Sequence, residues 1–462
     1  MPTSKLIRAD AVQRGRAPSW DHRNIYFRSN IQTAQRSHAL AIYIILIGIC
    51  MPTIQFVLAG AKFTPGRIAV FLLLVPGLVL LVQERRRLIA ADLFACATSI
   101  WILIATAHNA EAGGLNSAFA EALEFFGAYL VGRAYVFGPP ALQTFIRALK
   151  AIAVVVLMGA IVDILSGRNL VREETANLFP IALYINNAAD RLGIVRPAST
   201  FDGPIQLGVF FTVVLPIFLY SARNRVNLML FGGIAFIGCL STLSSGPLLT
   251  SVFVIACFLY DMLMRRYSWR WKALVLFIAL PFFGMFMVSK TPFARLIDYL
   301  TIDPSSGYYR IQSWRMATSS IAASPLVGYG FGGYGDINDY FSRASVDSVW
   351  LVCSLRFGLP MVFFLFLTIL CAFYQFGRNP RTRVTDPYLG QITTGFTSAI
   401  LAMALAGLTV HFWNSIWILW GLCIGIRASL KEYSITQPLR PNPYSQDISN
   451  SESRFAEMRR VF

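Results

Sequence analysis

The chain alternates long apolar tracts with polar connections, and twelve of the tracts are close to the ~20 residues that a helix needs to cross a hydrocarbon core. They fall at about residues 39–60, 67–82, 88–107, 118–135, 148–166, 206–222, 226–243, 246–263, 273–289, 349–376, 389–410 and 413–429. The pattern predicts an all-α integral membrane protein of about 12 transmembrane helices, without a soluble domain or an internal repeat. The tenth tract is long enough to tilt or break. Two connections stand apart by length, 167–205 and 290–348, and long loops in a membrane protein carry function more often than short ones.

Charge orients this pattern. Of the 40 Lys and Arg residues, 27 lie on the N-terminal segment, on alternate connections or their borders, and from Arg427 onward, whereas the opposite connections and their borders hold 11. Arg85-Arg86-Arg87 and Arg265-Arg266 then mark cytoplasmic turns by the positive-inside rule, and an even number of spans places both termini in the cytoplasm. The expected organisation is a basic cytoplasmic segment at 1–38, a polytopic domain at 39–429 in the cytoplasmic (inner) membrane, and a disordered cytoplasmic tail at 430–462. That tail is rich in Pro, Ser and Asn between Gln437 and Asn450. Residues 1–38 are too polar and basic for a cleaved signal peptide. Both long loops face outward.

Composition adds two exclusions. With 56% hydrophobic and 14% charged residues, lipid is the main solvent, and the net charge of +17 finds its partner in the anionic inner leaflet rather than in nucleic acid. All seven cysteines fall in apolar tracts, act as small hydrophobes and lack metal-ligand spacing. The spans read as nearly charge-free: Arg133 is expected to reach the cytoplasmic headgroups, and His411 to join an aromatic belt at the outer boundary.

Three stretches in and around the outer loops could carry chemistry. Arg196-Pro-Ala-Ser-Thr-Phe-Asp-Gly-Pro204 ends where the sixth span begins. Tyr308-Tyr-Arg310-Ile-Gln-Ser-Trp314-Arg315 reads as a helix leading into Ser324-Pro-Leu-Val-Gly-Tyr-Gly-Phe-Gly-Gly333. On such a helix Arg310 and Trp314 share a face, and Arg315 points about 140° away. Ser345-Val-Asp347-Ser-Val-Trp350 sets a carboxylate at the mouth of the tenth span. The same residues would equally serve as interfacial anchors or structural ion pairs, and the glycine run fits tight packing or a mobile loop as well as a phosphate cradle.

Taken together, the stretches resemble the O-antigen ligase and polysaccharide polymerase superfamily over approximately residues 120–430. The likeness lies in Arg196 with Phe201, in Arg310, Trp314 and Pro325-Leu-Val-Gly-Tyr-Gly330, and in Asp347-Ser348 before Gly358. Asp347 stands where ligases acting on the lipid A core have His, and Ser244-Ser245-Gly246 where Ser-Arg-Gly is frequent, which favours the exopolysaccharide polymerase branch.

The resemblance implies an inverting, metal-independent glycosyltransferase without a cofactor. It would join undecaprenyl-pyrophosphate-linked repeat units on the outer face of the membrane and have glycan donor and acceptor, membrane lipids, and chain-length-regulating and export proteins as partners. Arg196, Arg310 and Arg315 would bind the pyrophosphate, and Asp347 would orient or deprotonate the acceptor hydroxyl. A ligase using another acceptor and a lipid-linked glycan transporter are the alternatives. Topology reporters fused at residues 85, 224, 267 and 380 should report cytoplasm, and those at 180 and 320 the outside. A cytoplasmic signal at 320 would overturn the assignment of the loops.

Overall fold

The computed structural model describes residues 38–52, 54–58, 61–109, 114–179, 190–191, 193–288, 304–333, 346–374 and 386–436. The segment 1–37, the tail 437–462, and parts of both long loops (180–189, 192, 289–303 and 334–345) lie outside the described residues.

Helices dominate. In chain order they are α1 (His38–Cys50), α2 (Pro65–Gln83), α3 (Ala90–His108), α4 (Gly114–Tyr135), α5 (Gly138–Ser166), α6 (Leu170–Leu178), α7 (Pro204–Ser221), α8 (Arg225–Ser241), α9 (Ser245–Leu263), α10 (Arg270–Val288), α11 (Pro304–Ala323), α12 (Val349–Phe373), α13 (Pro387–Ala406) and α14 (Ser415–Thr436). Pro65, Pro204 and Pro387 each open a helix, where the missing N–H costs nothing and φ is already set. Among the described residues there are also two short antiparallel hairpins, β1 (Phe56–Leu58) with β2 (Ala61–Phe63) and β3 (Asp190–Arg191) with β4 (Ile194–Val195).

Among the described residues, seven helices are long and apolar enough to cross a membrane: α2, α3, α5, α7, α9, α12 and α13. α1 and α8 are apolar but shorter, and α1 gives way after Cys50 to the β1–β2 hairpin instead of filling the predicted tract to residue 60. Large apolar side chains such as Leu72, Val75 and Val82 on α2, Val226 and Met229 on α8, and Phe277 and Leu280 on α10 are exposed. Their extent exceeds what a water-soluble surface carries and matches a face solvated by lipid.

α7 and α14 form the buried centre, together with the second half of α4. α4 and α14 approach so closely that a Cβ added at Gly421 would lie 2.5 Å from the Phe125 carbonyl oxygen, and one at Gly425 would overlap the Tyr129 carbonyl. Small residues four apart permit this backbone-to-backbone packing.

The bundle ends differ. At one end, the basic end, the turn after α2 meets the end of α14: Glu432 accepts hydrogen bonds from Arg86 Nε (2.9 Å), Arg87 N (2.7 Å) and Arg133 Nη1 (2.5 Å). Arg133 also donates to Asp92 at 2.8 and 3.0 Å, and Tyr129 to Asp92 at 2.6 Å. Arg133 is thus buried among carboxylates and does not reach headgroups, because Asp92 and Glu432 come from helices that sequence proximity does not connect to it. Since Glu432 is 1% exposed and α14 runs to Thr436, the folded domain extends past the expected boundary at 429. The helices also carry more charge than expected, part of it in ion pairs: Arg67 with Glu124 at 2.8 Å, Arg356 with Glu121 at 3.4 Å, and Arg270 with Asp261 at 2.5 Å.

Gly425→Leu should force α4 and α14 apart, at a cost of about 1–3 kcal/mol or more from overpacking. It should lower the thermal midpoint of detergent-solubilised protein. Gly233→Leu on α8, where an added Cβ meets nothing within 4 Å, should leave that midpoint unchanged.

Candidate functional site

The opposite end, the loop end, gathers the connections that follow α5, α8, α11 and α13. Its first element is the segment from Arg196 to Ser199, held from below by Asp163 near the end of α5. Asp163 accepts hydrogen bonds from Ser199 N (2.7 Å), Ala198 N (3.2 Å) and Val171 N (3.1 Å), and Ser199 Oγ donates to the Val156 carbonyl (2.9 Å). Ser199 adopts φ 50°, which an ordinary residue avoids unless its surroundings dictate it. Gly203 then starts α7, so the bend fixes the height of Arg196 above the helix bundle.

Arg196 reaches across to the turn between α8 and α9. Its Nε donates to the Thr242 carbonyl (2.9 Å) and its Nη2 to Ser244 Oγ (2.7 Å), while Arg191 Nη1 takes the next carbonyl, Leu243 (2.7 Å). Leu243 itself sits at φ 48°, so the turn aims consecutive carbonyls at two guanidinium groups. Arg310, buried on α11, is the third cation: burial first, then Arg191 and Arg310, push the Arg196 guanidinium down to about 10. Among the described residues Arg196 makes no ion pair; its hydrogen-bond partners there are a carbonyl and a hydroxyl. A half-buried cation with cationic neighbours and neutral partners favours a bound anion.

Sequence position did not single out Arg191 or Asp163. Arg191 belongs to the β3–β4 hairpin, and the only signal was its count among the loop charges. Arg172, on the amphipathic α6, is also buried and donates to the Asp202 carbonyl; burial lowers its pKa, opposed by Asp202 and Asp163.

Of the other candidates, Arg315 is exposed on the far side of α11 from Arg310. Trp314 shares the inner face and donates Nε1 to the Leu408 carbonyl (3.1 Å). Asp347 is half-buried immediately before Ser348, whose Oγ caps α12 by accepting from Leu351 N (3.4 Å) and donates to the Gly407 carbonyl (3.0 Å).

The glycine-rich turn is packing, not a cradle. α12 breaks at Gly358 (φ 76°, ψ 176°), which frees carbonyls one turn earlier. Tyr329 N and Gly330 N take those of Leu355 (2.7 Å) and Arg356 (2.9 Å), and Leu359 N takes that of Pro325 (2.8 Å). The tenth tract does break, and the Pro325–Gly330 turn fills the break.

The turn 407–414 ties these parts together. It receives Trp314 at Leu408, Ser348 at Gly407, and Val349 N at Gly407 and Val410 (both 3.0 Å), and it sends Trp413 Nε1 (3.2 Å) and Asn414 Nδ2 (3.1 Å) to Asp202. Among the described residues, no group of three His, Cys, Asp or Glu side chains could hold a metal ion. No protein-family model matches the chain, and no curated protein matches it.

Asp163→Ala would leave the Ser199 and Val171 N–H groups without their acceptor, at about 1–3 kcal/mol for each that stays buried, while Ala198 N keeps its second acceptor, Asn169 Oδ1 (3.2 Å). Amide exchange over 196–201 should accelerate and the thermal midpoint fall. Asp163→Asn, which keeps an acceptor oxygen, should retain part of the protection.

Proposed function

We propose that the chain is a membrane-embedded glycosyltransferase that joins undecaprenyl-pyrophosphate-linked repeat units into a polysaccharide, an exopolysaccharide or O-antigen, on the outer face of the cytoplasmic membrane. The observation that carries this reading is the half-buried, unneutralised Arg196 with Arg191 and Arg310 as its charged neighbours. A pyrophosphate would relieve their mutual repulsion, and guanidinium forks match phosphate oxygens in two-point contacts. Pyrophosphate with its charge neutralised is already a good leaving group, so such a site needs cations and no protonating acid. Asp347, also at the loop end, is the carboxylate assigned to the acceptor hydroxyl: it would orient that oxygen and take its proton as the oxygen attacks the anomeric carbon and the lipid pyrophosphate departs.

The twelve-span arrangement with both termini cytoplasmic belongs to the same proposal. The separation of the bundle ends supports it. Arg86, Arg87 and the end of α14 meet at the basic end, while the segments after α5, α8, α11 and α13 meet at the other, as the charge rule requires of opposite sides. The ion pairs of Glu121 and Glu124 within the bundle would be expected of a transporter of lipid-linked glycan, which is the second reading. Both carboxylates, however, meet arginines from near the loop-end starts of α2 and α12, which makes them closures of that end rather than steps of a path through the bundle.

The test is transfer by purified protein given lipid-linked repeat unit, with EDTA present. Polymer should form. Arg196→Ala and Arg310→Ala should each lower turnover by roughly 100-fold or more, in line with removing a charge-stabilising group, and Lys at either position should restore only part. Asp347→Asn should keep donor binding and lose most of the rate. Near-normal turnover in both alanine variants, or activity lost to EDTA and restored by Mg²⁺, would sink the arginine-only mechanism. Conversion of lipid-linked polymer onto a different acceptor, with no polymer growth, would mark a ligase instead.

A further inference from the structure

His411 lies in the turn 407–414, outside the arginine cluster, and the transfer mechanism gives it no task. The residue is half-buried, yet its Nδ1 is fully shielded and makes no hydrogen bond. A buried polar nitrogen left in this state costs free energy that a bound partner or reoriented ring can recover. The imidazole packs against Trp413 with ring centroids 5.2 Å apart, and Trp413 is 42% exposed with its Nε1 anchored on Asp202. That anchor fixes an aromatic surface at the loop end.

Arg356 on α12 is the charged group whose field reaches the imidazole. It differs from Arg196 in being neutralised: its Nη1 meets Glu121 on α4 at 3.4 Å, and its guanidinium lies 4.9 Å from the Phe331 ring centre. Burial first, and then the Arg356 charge, push His411 down to about 3, so the ring is neutral at physiological pH and offers one donor and one acceptor nitrogen. So weak a base is a poor proton acceptor and a good hydrogen-bond partner.

This set of groups differs from an anion site. A fixed aromatic face, a neutral imidazole and a charge-balanced guanidinium–carboxylate pair suit a neutral polyhydroxyl ligand, whose C–H face stacks while its hydroxyls both donate and accept. We propose that His411, Trp413 and the Glu121–Arg356 pair form a sugar-binding subsite for the acceptor glycan, in which the half-buried His411 ring turns so that its unprotonated nitrogen accepts a hydrogen bond from an acceptor hydroxyl. The proposal rests on the glycosyltransferase reading and deepens it: the arginine cluster takes the pyrophosphate of the donor, and this subsite takes the sugar that receives it. His411 positions that sugar, leaving proton removal to Asp347.

The experiment uses the full chain in lipid nanodiscs and two probes. Undecaprenyl pyrophosphate without sugar reports the donor-lipid site by its affinity, and lipid-linked repeat unit extracted from cells lacking the chain reports transfer. For His411→Gln, His411→Ala and Trp413→Phe, the KM for the lipid-linked unit should rise, by about 10-fold or more in the alanine variant as expected for a lost hydrogen bond of ~1.4 kcal/mol. Their affinity for undecaprenyl pyrophosphate should stay within about twofold of wild type, and Arg196→Ala should show the reverse emphasis. Unchanged KM and kcat in all three variants overturn the subsite. So does a fall in undecaprenyl pyrophosphate affinity equal to that of Arg196→Ala, or a fall in kcat and thermal midpoint together with no change in KM. If the wild-type protein itself transfers nothing, the glycosyltransferase reading fails and this subsite with it, whereas an active wild type with indifferent His411 and Trp413 variants removes the subsite alone.

Discussion

The backbone contact between α4 and α14 is the constraint on which the two ends of the molecule depend. In lipid, apolar side chains gain little by meeting one another, so helices must associate through close packing and polar contacts. Gly421 and Gly425 let α14 lie directly on the carbonyls of Phe125 and Tyr129, and each end of the pair is then tied. Arg133 holds Glu432 at the basic end, and Trp417 Nε1 donates to the Glu121 carbonyl (3.1 Å) at the other. Both ends of α14 are tied in this way, and the turn 407–414 leads directly into it.

That turn converts a rigid bundle into a rigid surface. It accepts Trp314 from α11, Ser348 from the start of α12, and supplies the partners of Asp202 from the start of α7. The cations above it are held by different means. Arg196 binds a carbonyl oxygen and a hydroxyl, which orient a guanidinium without cancelling its charge, and Arg191 donates to the neighbouring Leu243 carbonyl. At the basic end the opposite choice was made, since Glu432 and Asp92 absorb Arg86 and Arg133 completely into the structure. The same residue type is therefore neutralised at one pole and, in Arg196, keeps its charge at the other, according to whether its partner is a carboxylate or a carbonyl.

Hydropathy made the helices legible, because each apolar tract is a local signal and each overlaps a helix in the structure. What it could not show is pairing across the chain. Arg133 looked like a residue near a span terminus; its partners Asp92 and Glu432 are 41 and 299 positions away. Arg191 carried no motif, and Asp163, inside the apolar tract 148–166, carried no signal at all, though it holds the bend that positions Arg196. The Arg310/Trp314 face was legible from helical period alone, and the exposure of Arg315 follows from the same arithmetic. The glycine run was ambiguous because its partner is a helix break 30 residues on, and Gly358 betrays that break only by proximity to Pro360.

The break at Gly358 also bears on how this loop end can diversify. The Pro325–Gly330 turn is hydrogen-bonded to Leu355 and Arg356, and the chain returns at Val346–Ser348 to the start of the same helix. Both ends of the intervening stretch are therefore mounted on one rigid piece. Lengthening such a stretch adds only a slowly growing closure entropy, roughly 0.6 kcal/mol per doubling, and need not disturb either mounting. Residues inserted there would enlarge the loop end while Arg310 and the start of α12 keep their places.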